Sequence, residues 1–238
     1  MNNGTHTDQI LWKIIEIGSK LEPDKLGRIR LPTERHLADL LSVPRPSLRE
    51  RLAVLETMGL IERTQGSGTY LTFPRPVFLQ VYFDIAWYLG FISLEELQRA
   101  QHMLVREIAA SAALQGLPED IQAVEGALER MKQANGSEAL LEADHDYHRL
   151  LAMATRNPVI LLLIEGLSLV LRRVLQQHLT LIRMVPGAME RDIQAHENIV
   201  EAIRARDPEL ASLAVDEYFH GIARERGKIS MLRYSDKE

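Results

Sequence analysis

The chain has 238 residues, 46% of them hydrophobic and 26% charged, which is enough for one large or two modest soluble domains. It contains no cysteine, which excludes disulfides and thiolate metal sites and fits a reducing, cytoplasmic setting. A net charge of −5 excludes a generally basic nucleic-acid coat. Yet residues 25–51 set seven cations against three carboxylates, a local +4 that leaves −9 for the remainder and suits a specific anionic partner.

The opening MNNGTHTDQILWKIIEIG has no basic region ahead of a long apolar core, so no signal peptide is expected. Ile10, Leu11, Ile14, Ile15 and Ile17 recur at helical spacing. After a looser EPDKLGRIR, Pro32 and Thr33 start a short helix with the stripe Leu37, Leu40, Leu41. Four residues later Leu48, Leu52, Leu55 and Met58 mark another helix, stopped at Gly59. IERT and TYLTF flank Gln65-Gly66-Ser67-Gly68 as a small hairpin. This order is that of a winged helix-turn-helix, expected over residues 1–73.

Pro74 and Pro76 make residues 74–92 read as a linker, within which VYFDIAWYLGF is also readable as a domain-crossing helix. From 93 to 238 the chain is helix after helix. Ser93-Leu-Glu-Glu96 is a capping box for a helix to about Leu114, and Pro118 starts another that ends at Asn135-Gly136. Further segments cover roughly 137–155, 158–184, 188–206 and 208–231, so an all-helical bundle is expected. The most apolar run, residues 159–171, is thirteen residues long and holds Glu165, too short for a bilayer. No membrane partner is expected.

SVPRPSLRER (42–51) is a helix tip stiffened by Pro44 and Pro46 and loaded with Arg45, Arg49 and Arg51. A helix N-terminus offers free N–H groups and the positive end of the dipole, and arginines added there make an anion site. The plain alternative is a solvated surface helix. In a helix-turn-helix, however, this end of the second helix enters the major groove, where Arg reads guanine edges.

Residues 31–71, LPTERHLADLLSVPRPSLRERLAVLETMGLIERTQGSGTYL, resemble the DNA-binding domain of the GntR family of bacterial transcription regulators. The resemblance implies DNA contacts at Arg35, Arg45, Pro46, Ser47, Arg49, Gln65 and Gly66. The family has hydroxyl residues at 44 and 46 and a small residue at 51. Here those positions hold Pro44, Pro46 and Arg51, so two hydroxyl contacts to phosphate are lost.

In SEALLEADHDYHRLLAMATRN (137–157), Asp144 and His148 stand at i and i+4 on the face of Leu141 and Leu151. His196 lies on the stripe of Ile193, Ile199, Val200 and Ile203, while the face of His220 mixes Leu213 with Glu217. One Asp and three His from three helices suit a divalent ion such as zinc, manganese, nickel or iron with open positions. Each taken singly reads more readily as a hydrogen-bonded core group, and His36, His102, His145 and His178 compete as ligands. DHDYHRLL, ATRNP, AHENIVEAIRARDPELA and EYFH, within residues 93–225, resemble the FadR C-terminal (FCD) effector-binding domain. That resemblance implies a metal on Asp144, His148, His196 and His220, its coordination completed by a small carboxylate effector. Where the family often carries an effector-pairing arginine, this chain has Gln101, which leaves a neutral, hydroxyl-bearing ligand open.

The expected protein is a bacterial, cytoplasmic, ligand-responsive repressor. It would bind a palindromic operator in double-stranded DNA as a homodimer, under control of a carboxylate or hydroxy acid at a metal-containing pocket. Two rivals are a DNA-binding regulator with a purely structural metal and a metal-dependent hydrolase or hydratase.

Overall fold

The computed structural model describes residues 6–64, 66–182 and 185–235. The chain divides into two compact units, Met1–Phe78 and Leu79–Glu238. The fold is mainly helical with one small sheet, as its sequence patterns predict.

In the first unit, α1 (His6–Gly18), α2 (Glu34–Leu41) and α3 (Arg45–Thr57) surround a core of Ile14, Leu37, Leu48, Leu52 and Leu55. These are the stripe positions, buried because a helix with one apolar face must cover it. Thr33 caps α2 by accepting from the His36 N–H. Ser42, in the left-handed region at φ 55°, turns the chain toward α3. That helix begins at Arg45, with Pro46 in its first turn. Extended Pro44 is its N-cap, and the Leu48 N–H closes the first turn on the Pro44 carbonyl.

Strands β1 (Ile29–Arg30), β2 (Ile61–Thr64) and β3 (Gly68–Leu71) form an antiparallel sheet in the order β1-β3-β2. The β2–β3 hairpin is the expected wing, with Ile61 opposite Leu71 and Thr64 opposite Gly68. The two-residue β1 was hidden in the looser stretch, being too short to show an alternation.

The segment 74–92, expected as a linker, contains α4 (Val77–Tyr88). Pro74 and Pro76 lie ahead of its first turn, where proline is tolerated, so they precede the helix without barring it. Phe83 and Trp87 pack on Leu97, Leu167, Val170 and Leu171 of the second unit.

That unit continues with α5 (Leu94–Gln115), α6 (Pro118–Gln133), α7 (Ser137–Met153), α8 (Pro158–Ile182), α9 (Ala188–Arg204) and α10 (Pro208–Ser235). Local chemistry starts each helix where the sequence signals it. The Ser93–Glu96 capping box opens α5. Asn157 and Asp207, each one residue before a proline, accept backbone N–H groups from the first turns of α8 and α10. At Gly166 in α8 a Cβ would lie 2.8 Å from the Leu79 Cβ, so glycine is what lets α4 approach so closely. The core runs through Val105, Ile108, Leu141, Tyr147, Leu151 and Ile199. Among the described residues no helix is long and apolar enough to cross a membrane.

Candidate functional site

Two regions carry chemistry. In the first unit, Arg35, Arg45, Pro46 and Arg49 are exposed around the start of α3, Ser47 is half-buried, and Gly66 is exposed at the wing tip. Gln65 lies outside the described residues. No side chain caps the α3 N-terminus, so its backbone N–H groups add to the anion-attracting character of the tip. Among the described residues Arg35 and Arg45 have no carboxylate partner. Arg49 differs, since its Nε donates to Glu34 Oε2 at 2.7 Å.

The second unit holds a cavity of about 520 Å³, a size that suits a small metabolite. Its lining includes Gln101 and His102 of α5, Asp144 and His148 of α7, Arg172 of α8, and His220 of α10. Asp144, His148 and His196 come together in one buried group, each offering a ligand atom within 4.8 Å of the others. The i, i+4 spacing on α7 supplies the first two, and α9 brings the third against them.

The His196 Nδ1 makes a 2.8 Å hydrogen bond with the Asp192 carbonyl. A carbonyl only accepts, so that nitrogen bears the proton and Nε2 presents a lone pair. This Nε2 stands 3.7 Å from Asp144 Oδ1. Neither atom has a hydrogen-bond partner, and neither does His148 Nδ1. Three buried polar atoms without partners, two of them facing each other as acceptors, are costly unless a proton or a cation enters between them. Burial pushes the Asp144 carboxyl up to about 7 against the pull of His196. The His148 imidazole goes down to about 3 through burial, with His196 and His145 beside it. One carboxylate oxygen and two imidazoles are a donor set that fits a divalent transition metal, with positions left open.

Tyr147 packs beside both imidazoles, its ring steeply inclined to each, and donates to the His196 carbonyl at 3.2 Å. The Tyr218 ring is 4.6 Å from that of His196. These tyrosines enclose the group, a role their place on an apolar stripe does not reveal.

His220 lies on the cavity wall but outside the buried group. It is exposed, with its ring 6.4 Å from that of His102. The side chain of His178 lies outside the described residues. No local sequence pattern marks the pair His102–Asp216, which joins α5 to α10 at 2.7 Å. The His102 ring also stacks on Phe219 at 4.5 Å. Burial raises the Asp216 carboxyl, but hydrogen bonds from His102 and Arg106 outweigh that and hold it below the ordinary carboxylate range. An ionised Asp216 only accepts, so the His102 Nε2 carries the proton toward it and Nδ1 is the atom left for other partners.

Comparison with known proteins finds a family model in each unit. The model for the bacterial regulatory proteins of the gntR family covers residues 28–71, and the FCD domain model covers residues 96–221, more than half of the chain. The chain belongs to the GntR family, in its FCD-containing branch. An uncharacterized HTH-type transcriptional regulator, YcbG of Bacillus subtilis, is 30% identical over 92% of this chain and 88% of its own length. The Exu regulon transcriptional regulator of Escherichia coli is 27% identical, over 84% and 75% respectively. Among solved structures, a Streptococcus agalactiae GntR protein shares the fold at a TM-score of 0.64 and 22% identity, covering 92% of this chain and 97% of that one. This GntR-family chain is a DNA-binding transcription regulator with an FCD effector-binding domain, and not an enzyme.

Proposed function

We propose that this regulator is a metabolite-responsive repressor that binds a palindromic operator as a homodimer. The α3 tip would enter the major groove, with Arg35, Arg45 and Arg49 directed at bases and phosphates. Pro46 and Ser47 would contact the backbone, and Gln65 and Gly66 of the wing would lie along a groove. A relative at 28% identity is named as the transcriptional repressor NanR, of Salmonella newport, which favours repression over activation. Acting on DNA, the protein would reside in the cytoplasm, at the nucleoid when bound.

The second unit would carry control. Asp144, His148 and His196 would hold a divalent ion, with His220 on the wall as the fourth ligand that the family pattern implies. The ion would orient a small carboxylate or hydroxy acid, while Gln101 and His102 meet its other polar groups. Gln101 is neutral and both donates and accepts, so it suits hydroxyls as well as a carboxylate oxygen. The facing, partnerless Asp144 Oδ1 and His196 Nε2 carry this reading. An effector would act only by preferring one arrangement of the dimer over another.

Elemental analysis of protein purified without chelator or nickel resin tests the metal. Near-stoichiometric metal in the native chain, lost in His148→Ala and His196→Ala, is the expected result. A native chain without metal would reduce the group to core hydrogen bonding.

A further inference from the structure

We propose that Glu34 is a specificity-determining positioning residue. It holds the Arg49 guanidinium by its Nε edge, so that the Nη1/Nη2 edge is the one left to read a guanine. This inference rests on the reading of α3 as the helix that enters the major groove.

The geometry begins with a carboxylate where a carboxylate is electrostatically unwelcome. Glu34, at the first position of α2, sits inside the local +4 patch that would face phosphates. A solvated acid there would weaken attraction to DNA without return. It is not solvated. The Glu34 side chain is 24% exposed while that of Arg49 is 60% exposed, so the acid is drawn back and the cation stands forward. Glu34 Oε2 accepts the Arg49 Nε–H at 2.7 Å across fifteen residues of sequence.

The other carboxylate oxygen is held as well. Arg63 of β2 places Nη1 3.8 Å from Glu34 Oε1, and its Nε is 3.2 Å from Glu56 Oε2 near the end of α3. The chain Arg49–Glu34–Arg63–Glu56 thus alternates in sign and ties α2, α3 and the wing strand together. Exposed ion pairs contribute little to folding, so stability alone does not account for the arrangement. Its clearest effect is geometric.

Guanidinium reads the guanine O6 and N7 acceptors with two parallel N–H groups. Arginine can offer either its Nε/Nη edge or its Nη1/Nη2 edge. With Nε bound to Glu34, the first edge is taken and the second is oriented. Arg35 and Arg45, with no carboxylate partner among the described residues, keep both options.

The test starts with duplex sites selected by the wild-type chain from a random pool. Affinities for the selected site, for each single-base variant and for a mixed-sequence duplex are then measured. Glu34→Gln is expected to cut guanine discrimination at one base pair of each half-site by about tenfold. Mixed-sequence binding should hold or tighten. In an Arg49→Lys background, which keeps the charge but lacks the fork, Glu34→Gln should change discrimination no further. Should Glu34→Gln melt early, Glu34→Asp keeps the charge on a stem too short to reach Nε and should show the same single-position loss. Unchanged discrimination, equal loss at every position, or the same effect of Glu34→Gln without Arg49 would each overturn the proposal. Arg45→Ala separates the two readings. If it too leaves every position unaffected, the placement of α3 in the groove has failed, not the role of Glu34.

Discussion

The two chemical regions of this chain treat charge in opposite ways. Around α3 the charged groups lie largely in the open, and Glu34 among them has an arginine near each oxygen. Inside the helical unit, Asp144, His148 and His196 are buried and their facing atoms are unmatched. Water makes the first arrangement inexpensive and weak, because solvent screens each exposed pair. Its exclusion makes the second costly and decisive, because a buried acceptor must find a proton or a cation. Exposed pairing orients a side chain for a partner that arrives from solvent; buried mismatch demands an occupant.

The sharpest way to break that contrast is to remove a buried donor. His196→Ala should lower bound metal to below about a tenth of the wild-type content, since a first ligand matters more than outer partners, whose loss typically costs 10–100-fold. Retained metal in this variant, measured by elemental analysis, would place the ion elsewhere. Next comes an exposed cation. Arg45→Ala should weaken binding to a selected duplex by about 1–3 kcal/mol, read in a fluorescence titration. Raising salt from about 50 to about 200 mM should weaken wild-type DNA binding by on the order of 10³-fold. Metal content should not change, because the buried group is shielded from added ions.

Titration gives a third, smaller effect in metal-free protein. The Asp144 carboxyl is raised to about 7 in the folded chain from an ordinary value near 4, so its contribution to stability is full below about 4 and is lost as pH rises toward 7. His148 runs the other way: held down to about 3, it stabilises above about 6.5 and loses that contribution as pH falls. Asp144→Asn removes the first slope and keeps the second. Urea midpoints followed from pH 4 to 8 should therefore diverge between variant and wild type, and parallel curves would refute the assignment. Smallest of all, Glu56→Gln at the far end of the exposed ion-pair chain should cost no more than about 1 kcal/mol in the same assay.

Legibility followed sequence separation and periodicity. The helices of the second unit were readable because each pairs an apolar stripe with a start signal, as at Ser93, Pro158 and Pro208. Helix α4 was half legible: VYFDIAWYLGF reads as a crossing helix, but its single charge, Asp84, marks no polar face, and Pro74 and Pro76 mark an interruption. Asp144, His148 and His196 were readable as inward-facing because they share stripes with Leu141, Leu151 and Ile199. His220, on a mixed face, was the ambiguous one, and the structure leaves it apart from the buried three. Contacts such as His102–Asp216, 114 residues apart, and Arg49–Glu34 across two helices leave no local pattern. Only the packed chain reveals them.

Gly166 gives α8 a double duty. Within two turns of it, Ser168, Leu171 and Arg172 line the cavity, while Leu79 of α4 rests on the glycine itself. The partition between the cavity and α4 is therefore one helix thick, with no side chain on α8 at the point of contact. Any shift of α8 at that point meets the Leu79 side chain with backbone, and nothing flexible lies between to absorb it.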